Sequence, residues 1–117
     1  MIEIKEYNGK QYKVLNNTWY NVETLDVLVE LLEKVRLNKT RIIIDYGNPE
    51  TGKSWGETFD IVGRIGRTTG EVKSPILLYN SRSIGGGIIM TDKILSLKTS
   101  IGQCEFWRHQ NYKDNVS

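Results

Sequence analysis

The apolar positions of this chain change period twice. From Ile2 to Tyr7 (I-E-I-K-E-Y) apolar and charged residues alternate, and the alternation resumes from Gln11 to Leu15. Asn8-Gly9 separates the two runs; both residues tolerate positive φ, so the stretch predicts a β-hairpin. Leu25, Leu28, Leu32 and Val35, joined by Leu31, then recur at spacings of three and four, which predicts an amphipathic helix over 22–38. Asn21 stands where an N-cap belongs. Glu23 and Asp26 occupy the first turn, and Lys34, Arg36 and Lys39 lie near the end, in keeping with the helix dipole. Beyond the helix the short period returns in 41–46, 57–65, 74–79, 88–97 and 103–109, with no helix expected after Ser54. The order ββαβββββ implies a single α+β domain over 1–117, a mostly antiparallel, curved sheet with one long helix. Closure of that sheet into a barrel is compatible with the pattern.

Composition changes this picture little. Hydrophobic residues make up 38% and charged residues 26%, the balance of a soluble globular protein, and no apolar run is long enough to span a bilayer. The N-terminal residues lack a secretory pattern. One cysteine, Cys104, allows neither an internal disulfide nor a multi-thiolate metal site, so a reducing cytoplasm is the expected setting.

Glycine and charge are spread less evenly. Six of the eleven glycines fall between Gly63 and Gly87, in G-R-I-G-R-T-T-G and S-R-S-I-G-G-G, on either side of the apolar run Pro75 to Tyr79. Residues 1–60 carry 8 Lys/Arg against 10 Asp/Glu, whereas residues 61–117 carry 8 against 4. The glycine loops thus lie in the basic half. Arg64, Arg67, Thr68, Thr69, Asn80, Arg82 and Ser83 supply guanidinium, hydroxyl and amide donors beside turns where a ligand can approach the backbone, chemistry suited to an anion. Duplex nucleic acid would call for a denser basic face. Trp55 at the edge of the 47–54 loop, and Trp107 with Arg108 near the C-terminus, could stack on a base. The plainer reading is that such rings fill the core, and of Phe106 and Trp107, which face opposite ways, at least one belongs there. Likewise, the two loops could be glycine-rich only because tight turns require it.

Gly47 to Ser54 (G-N-P-E-T-G-K-S) matches the phosphate-binding pattern G-x-x-x-x-G-K-[ST] letter for letter. Such a loop must open a helix, but W-G-E-T-F-D-I-V-G follows, which reads as a strand. The stretch is therefore expected to be a hairpin loop rather than a nucleotide-hydrolysing site. His109 has no serine–acid partners that spacing identifies, and Glu105 beside Cys104 works against a reactive thiolate. Asp45, Asp60 and Asp92 could share a metal but are more often strand-end carboxylates. The expectation is a protein with no catalytic residue, no metal and no cofactor.

The arrangement I-G-R-T-T-G … P-I-L-L-Y-N-S-R-S-I-G-G-G-I-I resembles small phage-encoded anti-defence proteins, and among them the nucleotide-signal sponges that counter the Thoeris system. The resemblance covers about residues 40–110. It implies a nucleotide-binding homo-oligomer in the host cytoplasm that sequesters a cyclic ADP-ribose-type signal without cleaving it. The site residues named above rest on their own chemistry. The alternative is a protein–protein inhibitor or structural phage protein that presents the same loops as a flat interaction surface.

Overall fold

The computed structural model describes residues 2–38, 40–61, 63–65, 72, 76–81, 85–101 and 103–112. β1 (Ile2–Tyr7) and β2 (Lys10–Leu15) form the expected hairpin, with Asn8 and Gly9 at φ 50 and 78 and Tyr7 opposite Lys10. A second tight turn follows at once. Asn16 and Asn17 take φ 47 and 69, and β3 (Thr18–Asn21) pairs back onto β2, giving an antiparallel sheet in the order β1-β2-β3. α1 (Val22–Asn38) starts directly after Asn21 and covers the expected span. Its buried stripe is Leu25, Leu28, Leu31, Leu32 and Val35.

β4 (Ile42–Asn48) and β5 (Lys53–Ile61) form a long hairpin, and β9 (Ile94–Ile101) and β10 (Gln103–Arg108) complete a second sheet in the order β10-β9-β4-β5. One face of it carries Ile42, Ile44, Tyr46, Leu97 and Trp107 into the core with the helix stripe, Leu15 and Tyr20. The Trp107 indole N–H donates to the Thr24 carbonyl at 2.7 Å, tying β10 to the first turn of α1. The opposite face holds Asp45, which accepts bonds from Thr58 and Ser96 at 2.9 Å, and the exposed Arg41–Asp60 pair. That pairing, hydrogen bond first, lowers the Asp60 pKa and raises that of Arg41. A third antiparallel sheet contains β6 (Gly63–Ile65), β7 (Ile76–Ser81) and β8 (Gly85–Met90) in that order.

The fold is thus α+β with one α-helix, as the patterning implies, but the strands are cut differently. The run 57–65 is not one strand: β5 starts earlier, at Lys53, and its continuation past residue 62 joins another sheet. The run 88–97 is broken by a 3₁₀ turn at Thr91–Lys93, where Thr91 and Asp92 are buried. The first break leaves the alternation undisturbed, whereas the second falls on the three consecutive polar residues Thr91-Asp92-Lys93. The sheets remain separate and form no closed barrel. Among the described residues no helix is long and apolar enough to cross a membrane.

Candidate binding cleft

The literal phosphate-loop match is a hairpin turn. Gly52 N–H donates to the Asn48 carbonyl at 2.7 Å, Asn48 Oδ1 accepts from Glu50 N–H at 2.9 Å, and Thr51 Oγ1 accepts from Lys53 N–H at 3.3 Å. Gly52 has φ +74, and a Cβ there would run into the Asn111 backbone; one at Gly47 would strike Leu95 and the Lys53 carbonyl. Packing and backbone conformation account for both glycines. The strand β5 follows where a phosphate site would need a helix.

Immediately beyond the turn, the register slips by two residues between Tyr46↔Glu57 and Gly47↔Ser54, so Trp55 and Gly56 bulge from β5. Gly56 takes φ +79, which a side chain resists, and its N–H donates to Ser54 Oγ at 3.0 Å while Ser54 Oγ donates to the Tyr46 carbonyl. Bulges re-aim side chains. This one leaves the Trp55 indole 55% exposed.

Trp55 borders an open cleft of about 310 Å³, whose other walls are the Asn16-Asn17-Thr18 turn, Asn48-Pro49-Glu50, and Asp92-Lys93. Three segments distant in sequence therefore meet here, and amide, hydroxyl and carboxylate groups surround one large ring. Asp92 lies at the floor, fully buried. Its Oδ2 accepts from Asn16 Nδ2 and Thr18 Oγ1, each at 3.3 Å, with Lys93 Nζ at 3.7 Å. Its Oδ1 is buried without a hydrogen-bond partner among the described residues, as are Thr91 Oγ1, the Tyr20 hydroxyl and His109 Nε2. An unpaired buried polar atom costs about 1–3 kcal/mol, which offsets part of what the bonds of Asp92 to Asn16 and Thr18 contribute. Burial, and then the charge of Asp92, raise the Tyr20 pKa. His109 stacks against Tyr20 at 4.9 Å between ring centroids, and burial lowers its pKa to about 4. Its Nδ1 accepts from Asn111 N–H at 3.0 Å, which places the imidazole proton on Nε2. This neutral, buried ring supports the chain rather than offering a base to solvent.

Of the residues singled out from the sequence, those that the structure describes do not converge. Trp107 is core, only 3% exposed, with its indole N–H bonded inside the protein, and this burial removes it from stacking on a ligand. Arg108 points to the other face of β10, over the Tyr112 ring at 5.0 Å and the Phe106 ring at 6.0 Å. Arg64 and Asn80 stand directly opposite each other in the β6–β7 register. Arg67, Thr68, Thr69, Arg82 and Ser83 lie outside the described residues. Trp55 alone borders the cleft. Asn16, Asn17, Thr18 and Lys93 went unrecognised, although Asn16-Asn17 between V-L and T-W-Y was a legible turn signal, and Asp92 was weighed only as one of three carboxylates that could share a metal. Nothing local marks Asp92. Among the described residues no cluster of His, Cys, Asp and Glu could hold a metal. No protein-family model, curated protein or solved structure matches this chain.

Proposed function

We propose that this protein is a non-catalytic, homo-oligomeric binding protein for a nucleotide-like anionic small molecule of the cyclic ADP-ribose type, a phage counter-defence sponge in the host cytoplasm. The observation that supports this reading best is the exposed Trp55 ring, held out by a bulge over a cleft that ends in a buried carboxylate. An indole accepts the face of a base or sugar, and the asparagine amides at the cleft's edge can donate to and accept from ribose hydroxyls. At about 310 Å³ the cleft suits a nucleoside-sized fragment, not a whole dinucleotide. Its charged groups, Glu50, Asp92 and Lys93, sum to −1, so the cleft itself suits the nucleoside part of the ligand rather than its phosphates.

Calorimetric titration with cyclic ADP-ribose, ADP-ribose and AMP tests this. Base stacking carries about 1–3 kcal/mol, so Trp55→Ala should weaken binding by about ten- to a hundredfold, with the ligand recovered uncleaved. Binding lost in Arg67→Ala but kept in Trp55→Ala would move the whole ligand to the loops. No binding of any nucleotide would favour the protein–protein inhibitor, a reading that the exposed Trp19, Ile88 and Phe106 side chains support.

A further inference from the structure

Among the described residues β1 lies at the edge of its sheet and is paired on one side only. Five of its six residues are exposed, Ile4 at 66% and Tyr7 at 62%. It carries neither a proline nor a bulge, and its register with β2 is unbroken from Ile2 to Tyr7. In a hairpin with a two-residue turn, the closing pair is hydrogen-bonded and the pairs then alternate. Tyr7, Lys5 and Glu3 therefore turn their backbone groups toward β2. The N–H and C=O groups of Ile2, Ile4 and Glu6 face the open edge.

We infer that this edge is the self-association surface of the protein, β1 pairing antiparallel with β1 of a second copy about a two-fold axis at Ile4. The inference rests on the reading of the protein as a homo-oligomer and names the surface that makes it one. The strand itself selects the register. Pairings centred on any residue of the strand let outward groups bond to each other, but centring on Glu3 or Lys5 sets that charge against its own copy. Centring on Glu6 sets that carboxylate against its own copy, and centring on Ile2 leaves most of the strand unpaired. Centring on Ile4 satisfies all the outward groups, with Ile2 opposite Glu6 and Ile4 opposite Ile4. It also sets Glu3 of each chain against Lys5 of the other, in the non-hydrogen-bonded pairs where side chains approach most closely. An isologous interface requires this self-complementarity. The exposed Ile4 lies on the same face of β1 as Ile2, which packs against the core, so pairing would extend the apolar face into the partner.

Light scattering across a concentration series tests the surface. Wild type should run at twice the chain mass. Ile4→Pro deletes an outward N–H without touching the bonds to β2, so it should give a monomer with an unchanged circular-dichroism spectrum. E3K alone and K5E alone each oppose like charges twice and should weaken self-association by about tenfold or more. Mixing E3K with K5E should restore the dimer as a heterodimer, an outcome that holds even if the proline variant fails to fold. A wild-type dimer that neither E3K nor K5E weakens would overturn this surface while leaving the homo-oligomer standing. A wild type that stays monomeric at hundreds of micromolar would overturn both.

Discussion

The β1–β2 and β4–β5 hairpins are built from the same kinds of turn residue and have opposite relations to the rest of the chain. The first turns on Asn8-Gly9, where nothing lies within 4 Å of a Cβ placed at Gly9. The second is clasped by the chain after β10. Asn111 Nδ2 donates to the Pro49 carbonyl at 2.9 Å, and the Asn111 backbone lies against Gly52. Residues 109–112 are themselves pinned, His109 N–H to the Leu95 carbonyl at 2.8 Å and Tyr112 N–H to the His109 carbonyl at 3.0 Å. A glycine in a sequence thus records a turn; what stands next to the turn decides how much that glycine matters.

Alanine at the two glycines should separate the hairpins most sharply. Both have positive φ, a conformation that costs a side-chain-bearing residue about 1–2 kcal/mol. At Gly9 this should be the whole effect. At Gly52 the new Cβ also meets backbone that cannot rotate aside, so Gly52→Ala should lose roughly 3 kcal/mol or more in urea denaturation. Equal losses at both positions would mean that the clasp around the second hairpin contributes nothing.

Acid should loosen the same hairpin selectively. The His109 pKa is lowered by burial from the usual 6.5 to about 4, so the folded state favours the neutral ring. Stability from this group is complete above about pH 6.5. It is lost as pH falls toward 4, because the unfolded chain takes up the proton first. The full window is worth on the order of 2–3 kcal/mol after allowance for solvent screening. Below it the protonated Nδ1 can no longer accept from Asn111 N–H, so amide exchange should rise at 48–53 and 109–112 before it rises in β1 and β2. His109→Gln should flatten the stability profile between pH 6.5 and 5, above the range in which carboxylates titrate.

The helix and the first hairpin were legible because each writes its own period: Leu25, Leu28, Leu32 and Val35 mark one face, and Asn8-Gly9 marks one turn. The β3 strand was missed because its four residues run directly into the helix. The 3₁₀ turn at Thr91–Lys93 was missed because it is held by contacts remote in sequence, those of Asp92 with Asn16 and Thr18. The cleft depends on that same turn, so one omission hid both. Trp55 was found from its place beside a loop, but the two-residue slip that exposes it belongs to the pairing of β4 with β5 and leaves no trace in either strand alone.

The smallest effect is expected at Lys53. In the phosphate-loop pattern this lysine would be the one that reaches the phosphates, and its loss would abolish nucleotide turnover. Here it opens β5 at the foot of the clasped turn, with an exposed side chain. Its backbone N–H, bonded to Thr51 Oγ1, is untouched by alanine. Lys53→Ala should therefore change stability by no more than about 0.5 kcal/mol, as for other exposed surface positions. Nucleotide affinity measured by titration should stay the same, because Lys53 is not among the residues that line the cleft. The contrast with Gly52, its neighbour in the same matched pattern, is what gives the measurement its force. A phosphate loop would need both residues for the ligand, whereas a clasped hairpin needs the glycine for folding and the lysine for nothing beyond solubility. ATP hydrolysis by wild type that disappears in Lys53→Ala would reverse that assignment and return the hairpin to the nucleotide.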